Sequence, residues 1–236
     1  LDKIIKQNKL TFYSYQKFVQ NFINPNTPYK RLLMKHSTGS GKTIGAIGVA
    51  MEFIKYFKKE KRLGTSDKLI GSVFIIGFDG AKKAFQKDLL RFTEFGFTTR
   101  TELDTWNELK IQALSNNEVD IDNAYSYGNR IKRRIGNREG NGFFKFMGYK
   151  TLVNRLLISD KTISNLSEDD ILKGLKSGDI KINKDTMNLF KNSLIICDEI
   201  HNTYNSLQKN NWGMSIQLIL DNNPNIRALF MSATPI

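Results

Sequence analysis

The chain has 236 residues, of which 40% are hydrophobic and 25% are charged, a balance that is typical of globular domains and excludes wholesale disorder. This length predicts one large domain or two small ones, and the one cysteine, Cys197, excludes an internal disulfide and favours a reducing compartment. The 36 basic and 23 acidic residues give a net charge of +13, which either serves solubility or favours a polyanionic partner such as nucleic acid. No apolar run approaches the roughly 18 residues of a membrane span, so no membrane partner is expected.

Short apolar runs alternate along the chain with longer stretches of helical periodicity. This pattern predicts an α/β domain with a mostly parallel sheet and helices on both faces. The predicted strands lie at 31–34, 72–76, 193–197 and 226–231, and each is apolar on both faces, as a sheet that is covered by helices requires. The predicted helices lie at 14–22, 43–58 and 81–92.

The stretch from about 95 to 190 has no clear period. It is predicted to be an insertion of one or two helices or hairpins within a domain that occupies 1–236, and it includes an aromatic run at 143–150. Five basic residues lie close together in it: Arg130, Lys132, Arg133, Arg134 and Arg138. They form either a solvated loop or a track for the phosphates of a nucleic acid, and the sequence leaves both interpretations open.

A glycine-rich segment at 37–43 follows the first predicted strand and opens a predicted helix, which is the context of a phosphate-binding loop. Glycines let the backbone amides curl around phosphate oxygens, and the helix N-terminus adds partial positive charge. Lys42 is expected to reach the β- and γ-phosphates of a nucleotide, and the Thr43 hydroxyl to bind Mg²⁺. The other residues expected to contact the nucleotide are Thr38, Gly39, Ser40 and Gly41. The alternative is a glycine-rich turn without a ligand, since His36 stands where the general motif has glycine.

Two acidic residues, Asp198 and Glu199, follow the predicted strand at 193–197. Because ligands bind at the carboxyl edge of open α/β sheets, Asp198 is expected to hold Mg²⁺ and Glu199 to orient and deprotonate the attacking water. Together with Lys42 they form the predicted catalytic set. His201 is expected to relay the nucleotide state. The alternatives are a helix N-cap with a first-turn acid for the pair, and a surface histidine for His201.

Two further segments carry candidate residues. Ser232 and Thr234 follow the last predicted strand and are expected to bond to the acidic residues and couple the nucleotide state to domain motion, unless they form an ordinary turn. Far upstream, the amide of Gln16 offers a donor and an acceptor for an adenine edge, and its alternative is an exposed polar helix residue.

In this order, the segments resemble the motifs of superfamily 2 helicases and translocases. Tyr15-Gln16 resembles the upstream glutamine motif, 37–43 motif I, 198–201 a DExH motif II and 232–234 motif III. The resemblance covers the first of two RecA-like domains. It implies a RecA-like P-loop fold, ATP and Mg²⁺ as cofactors, and ATP hydrolysis coupled to nucleic acid, with DNA favoured over RNA. The segment 77–80 stands in the place of motif Ia but lacks its usual Pro-Thr pair, so no nucleic-acid contact is assigned to it.

The chain also resembles a narrower group, the helicases of large cytoplasmic DNA viruses. This group includes the small subunit of the poxvirus early transcription factor and nucleoside triphosphate phosphohydrolase I. The resemblance rests on 36–43, 146–156, 199–205 and 211–213. It implies subunits of the transcription machinery as partners and a location in the host cytoplasm or the virion. ATP in these families sits between two RecA-like domains, so a second such domain is expected in cis after residue 236.

Three functions therefore stay open. The first is the motor domain of an ATP-dependent helicase or DNA translocase. The second is the ATPase subunit of a viral early transcription or termination factor that does not unwind processively. The third is a regulatory module that binds a nucleotide without turnover. Glu199 argues against the third, because a pure binder needs no residue that activates water.

Overall fold

Helices and strands alternate along most of the chain. A computed structural model describes residues 10–37, 39–114, 118–138, 142–160, 162–163, 166–205 and 208–233. The α-helices are α1 (Ser14–Phe22), α2 (Lys42–Arg62), α3 (Asp79–Arg91), α4 (Arg100–Ala113), α5 (Glu118–Arg133), α6 (Tyr149–Leu156), α7 (Glu168–Ser177), α8 (Lys184–Asn188) and α9 (Asn211–Asn222). The strands are β1 (Arg31–Lys35), β2 (Val73–Ile76), β3 (Phe144–Met147), β4 (Leu157–Ser159), β5 (Ile180–Ile182), β6 (Leu194–Cys197), β7 (Tyr204–Asn205), β8 (Gln208–Lys209) and β9 (Arg227–Ser232). Within these ranges, no helix has both the length and the apolar character of a membrane span.

Five strands form one sheet in the order β1-β9-β6-β2-β3, and every neighbouring pair runs parallel. This confirms the predicted α/β class with a mostly parallel sheet. The four predicted strands are all present, each within one residue of its expected ends. The three predicted helices are also confirmed as α1, α2 and α3.

Alternate residues of the central strands enter two separate hydrophobic cores. In β2, Val73 and Ile75 join the core that includes residues of α1, α2 and α3. Phe74 and Ile76 join the core that includes residues of α6 and α9. Because side chains of a strand point alternately to opposite faces, the two cores clamp the sheet from both sides. Burying one such side chain contributes about 1.5–3 kcal/mol.

The stretch from 95 to 190, expected to be an insertion of helices or hairpins, contains helices α4 to α8 and the antiparallel pair of β4 and β5, and it also contributes a strand to the main sheet. Strand β3 pairs in parallel with β2, from Val73 opposite Phe144 to Ile76 opposite Met147. The sequence signal is weak because Lys145 interrupts the apolar run. A polar residue is tolerated here because β3 lies at the edge of the sheet and is only partly covered.

Helices α4 and α5 form a hairpin that is clasped at two points. The indole ring of Trp106 lies so close to Gly128 that a β-carbon built there would come 2.7 Å from the ring. The Arg134 guanidinium, just after α5, donates two hydrogen bonds to the Glu102 carboxylate, at 2.9 and 2.6 Å. These contacts fix α4 on α5, although no described residue of α4 is fully buried.

The basic residues of 130–138 do not form one surface, because they have different partners in the fold. Arg134 is engaged by Glu102, as described above. Arg138 donates a 2.5 Å hydrogen bond to Ser72 Oγ and so ties the segment to the start of β2. The Arg130 guanidinium lies 4.6 Å from the centre of an aromatic ring on its own helix. Most of the cluster therefore serves the fold.

The ion pair between Glu102 and Arg134 predicts that the protein loses stability in acid. Arg134 holds the pKa of Glu102 at about 2, below its ordinary value of 4.5, mainly through the hydrogen bonds it donates. Because the unfolded chain binds this proton more readily, the contribution is present above about pH 4.5 and is lost as the pH falls toward 2. Urea unfolding followed by circular dichroism between pH 3 and 6 should show a weaker pH dependence for Arg134→Ala than for the wild type. The exposed neighbour Arg133→Ala is the control, and identical profiles for both variants would contradict the assignment.

Candidate active site

Three strand ends meet at one edge of the sheet. Strands β1, β9 and β6 are neighbours and parallel, so their carboxyl ends lie side by side. The glycine-rich loop follows β1, the acidic pair follows β6, and Ser232 ends β9. The candidate residues that the sequence spreads over the whole chain therefore converge where open α/β sheets bind ligands.

The loop has the backbone of a phosphate cradle. Gly39 and Gly41 have φ angles of 75° and 86°, in the left-handed region that favours glycine. Lys42 opens α2, and its Nζ donates to the carbonyl oxygens of His36 at 2.6 Å and Ser37 at 3.1 Å. The buried Ser40 Oγ has no hydrogen-bond partner among the described residues. Thr38 lies outside the described residues.

Two residues of α1 hold the loop from beneath. Gln16 is 1% exposed, its Nε2 donates to the Gly41 carbonyl at 2.9 Å, and its Oε1 accepts from the Tyr13 amide at 2.8 Å. The Tyr15 hydroxyl donates to the Ser40 carbonyl, and its ring lies 4.5 Å from that of His36. A Gln16 contact with adenine, as predicted, would require these bonds to be exchanged. In this geometry the glutamine positions the loop.

The acidic turn is strained and electrostatically tuned. The Asp198 amide donates to the Ile76 carbonyl at 2.8 Å, which ties the turn to β2. Glu199 has a φ angle of 51°, a conformation that costs a residue other than glycine about 1–3 kcal/mol. Burial, and then the charge of Glu199, raise the pKa of Asp198, whereas the positive charge of Lys42 lowers it. The loop and the acidic turn therefore act on each other electrostatically.

His201 connects the acidic turn to the end of β9. Its Nδ1 lies 3.0 Å from Ser232 Oγ and 3.3 Å from Glu199 Oε2. Its Nε2 lies 3.1 Å from Nδ2, the side-chain amide nitrogen, of Asn202. In the neutral imidazole Nε2 then accepts from Asn202, so Nδ1 carries the proton and donates toward Ser232 or Glu199. The structure brings His201 and Ser232 together, and Thr234 lies outside the described residues.

Tyr149 is a residue of this site that the sequence analysis did not assign. Its hydroxyl donates to the Asp198 carbonyl at 2.6 Å, directly beneath the acidic turn. Its ring is buried, stacks on Trp212 with centroids 5.3 Å apart, and meets the exposed Phe78 edge-on. The sequence did offer a signal for Tyr149, because 146–156 is one of the segments that resemble helicases of large DNA viruses. A lone tyrosine at the start of a helix, however, does not by itself indicate a role.

The residues fit a nucleotide with a divalent cation. The cradle has left-handed glycines, a lysine that already donates to oxygen atoms across the loop, and an orphaned hydroxyl at Ser40. Thr43 and Asp198 supply the oxygen donors that Mg²⁺ prefers, and such sites are completed by phosphate oxygens rather than by a full protein cage. The described residues contain no group of three or more His, Cys, Asp or Glu side chains that could hold a metal ion.

Comparisons with known proteins identify relatives. The family described as "Type III restriction enzyme, res subunit" matches residues 8–236. The early transcription factor large subunit homolog of African swine fever virus, strain Badajoz 1971, is 33% identical over 96% of this chain and 22% of its own length. A protein of Acanthamoeba polyphaga mimivirus, named as an ATP-dependent RNA helicase, is 27% identical over 93% of this chain and 17% of its own length. This chain thus spans about a fifth of these relatives.

Solved structures also match this chain, and one of them is an ATPase core. It is titled "Sulfolobus solfataricus SWI2/SNF2 ATPase core in complex with dsDNA" and is 12% identical, with a TM-score of 0.38, over 96% of this chain and 33% of that one. The family match and the viral relatives confirm the resemblance to superfamily 2 helicases of large DNA viruses. The named viral relative is a homolog of a large subunit, whereas the sequence pattern suggested the small one.

Tyr149 provides a test of the acidic turn. Tyr149→Phe keeps the stacked ring but removes the bond to the Asp198 carbonyl, which is worth about 1 kcal/mol. We expect ATP turnover to fall roughly five-fold in kcat, with KM unchanged, because the turn but not the loop loses a support. The exposed Tyr56→Phe is the matched control in steady-state assays of the intact protein. A raised KM with unchanged kcat would place Tyr149 outside the chemistry.

Proposed function

This chain belongs to the family described as "Type III restriction enzyme, res subunit", and on that premise we propose that it is the ATP-binding motor domain of a nucleic-acid-dependent ATPase. The proposed enzyme is a helicase or DNA translocase that hydrolyses ATP to move on or remodel nucleic acid. One observation carries the proposal. The glycine-rich loop and the Asp198–Glu199 turn lie at one sheet edge, close enough for Lys42 to lower the pKa of Asp198.

Each residue has a role that follows from its position. Lys42 exchanges its carbonyl partners for the β- and γ-phosphate oxygens, while loop amides from Gly39 to Thr43 bind the remaining oxygens. Thr43 and Asp198 hold Mg²⁺, which when bound neutralises charge on the phosphates. Glu199 orients a water molecule and accepts its proton.

The bond between His201 and Ser232 supports a coupling role. Nδ1 of His201 can donate either to Glu199 or to Ser232, which are at nearly equal distances. When Glu199 accepts a hydrogen bond from the attacking water, the competition for the Nδ1 proton of His201 changes. The end of β9, together with Thr234, then receives the nucleotide state through the imidazole, which is the proposed link to domain motion.

A second candidate function has its own support. A relative is named as an early transcription factor subunit homolog, which favours an ATPase of viral early transcription or termination without processive unwinding. Under this alternative the partners are subunits of the transcription machinery. In both cases the proposed substrate polymer is DNA rather than RNA, and the proposed location is the host cytoplasm or the virion.

Two substitutions test the ATPase proposal. Lys42→Ala should abolish ATP binding or weaken it severely, because the loop loses its phosphate cation. Glu199→Gln should keep ATP binding but lower turnover by about 10²–10⁴-fold, because the amide cannot take the proton of water. The control is Lys59→Ala, an exposed lysine of the same helix. Nucleotide titration and phosphate release on the intact protein are the measurements. Unchanged turnover in Glu199→Gln would remove Glu199 from the catalytic set, and ATP binding without phosphate release in the wild type would support a non-hydrolysing module.

Strand displacement separates the two candidate functions. Displacement of a labelled strand from a duplex by the intact protein, dependent on ATP and abolished by Lys42→Ala, would favour the helicase. Stimulated ATP turnover without displacement would favour the transcription-factor function. DNA and RNA duplexes of identical sequence, compared side by side, test the preference for DNA.

The proposal includes a second RecA-like domain in cis, which supplies an arginine to the γ-phosphate. Such arginines are worth about 10³–10⁵ in rate in nucleoside triphosphatases. Residues 1–236 alone should therefore bind ATP, turn it over slowly, and respond little to nucleic acid. Steady-state turnover with and without DNA and RNA, compared with the intact protein, is the measurement. Stimulated turnover by 1–236 at the rate of the intact protein would exclude the need for a second domain.

A further inference from the structure

A basic groove of about 610 Å³ lies between α3 and α4, and no residue of the loop or of the acidic turn lines it. Six basic side chains from α3, α4 and α5 line it: Lys83, Lys87, Arg91, Arg100, Lys110 and Lys132. The one acidic residue of the lining is Asp104, which already pairs with Arg100 at 3.4 Å. Asp88 is on α3 but does not line the groove. The groove therefore has a large excess of positive charge.

The charged groups of Lys110 and Lys132 are held close together, and the acidic residue of the lining pairs with Arg100 instead. Lys110 Nζ lies 3.8 Å from the ring centre of Trp106, and Lys132 Nζ lies 5.9 Å from the same centre. Burial, and then the charge of Lys132, lower the pKa of Lys110. A bound anion would relieve this repulsion, so the groove favours a negatively charged ligand.

The spacing of the charges indicates an extended ligand. Lys83, Lys87 and Arg91 recur every four residues on one face of α3, so they lie about 6 Å apart along the helix. Lysines 83, 87 and 132 are exposed and make the groove open rather than closed. A row of separated cations along an open groove matches a polymer with repeated negative charges better than one small anion.

The ring of Trp106 is not available for stacking with a nucleic-acid base. One side of its ring faces the Lys110 ammonium, and the ring also packs against Gly128, so no free face is offered to a base. The same contact, with the pair of Glu102 and Arg134, fixes α4 on α5 and preforms the groove. A ligand of this groove is therefore recognised by charge and not by its bases.

We infer that the groove between α3 and α4 binds the phosphate backbone of a nucleic acid, as a contact separate from the ATP-binding edge. This inference rests on the proposed function, since it specifies where a motor on nucleic acid would hold its polymer. It replaces the phosphate track expected at 130–138, of which the groove includes Lys132 alone.

The test compares two triple variants of the intact protein. Lys83→Gln/Lys87→Gln/Lys132→Gln removes three exposed groove charges that do not support the clasp of α4 on α5. Lys173→Gln/Lys176→Gln/Lys181→Gln is the matched control, with three exposed lysines from α7 and β5, on the opposite face of the sheet. Fluorescence anisotropy measures binding of two labelled DNA duplexes of unrelated sequence over a series of salt concentrations.

The groove variant should bind both duplexes more weakly, and the slope of log K against log salt should fall by roughly two to three, at about 0.9 per lost phosphate contact. The control variant should keep a slope within about one of the wild type. Wild-type slopes in the groove variant, equal losses in both variants, or a loss with one sequence only would each overturn the inference.

ATP readouts separate this result from failure of the proposed function. Both variants should bind ATP and retain basal turnover like the wild type, because neither changes the sheet edge. If the groove variant binds DNA normally while the wild type hydrolyses ATP and binds DNA, the groove is wrong and the motor stands. If the wild type itself binds no nucleic acid, both proposals are overturned.

Discussion

Parallel pairing of β1, β9 and β6 is the constraint on which the rest of the structure depends. In a parallel sheet all strands end at the same edge, so residues separated by more than a hundred positions meet there without any long loop. The same pairing demands crossover helices on both faces, which explains the two cores and the apolar strands. An antiparallel β9 would place Ser232 at the opposite edge, beyond reach of His201.

The local geometry at this edge is costly and is stabilised by neighbours. Glu199 adopts a left-handed conformation, and Asp198 is a half-buried carboxylate beside another acid. A backbone bond from the Asp198 amide to β2, and a bond from the Tyr149 hydroxyl to the Asp198 carbonyl, hold the turn in place. The loop is held in the same way by Gln16 and Tyr15. Strain of this kind persists only where the surroundings over-determine it, which is typical of sites that do chemistry.

Most of the fold, and the glycine-rich and acidic segments of the site, could be predicted from the sequence, because short stretches of sequence encode them. Apolar runs gave β1, β2, β6 and β9 within one residue, and the glycine and acidic segments follow strands directly. The features that the sequence analysis missed depend on contacts with residues that are distant in sequence. Strand β3 is recognisable only beside β2, Tyr149 acts only through the carbonyl of Asp198, and Arg134 and Arg138 are bound to Glu102 and Ser72. Composition cannot distinguish a basic residue that binds a ligand from one that supports the fold.

Strand β2 and helix α3 connect the candidate active site to the basic groove. Strand β2 accepts the bond from the Asp198 amide at Ile76 and leads through Gly77 into α3, the helix that carries Lys83, Lys87 and Arg91. At Gly77 a β-carbon would lie 2.9 Å from the Ala81 side chain and 3.2 Å from that of Asp198, so the turn and the helix start are in tight contact. The acidic turn and the helix that carries the row of cations are therefore in direct contact, so the arrangement of one constrains the arrangement of the other.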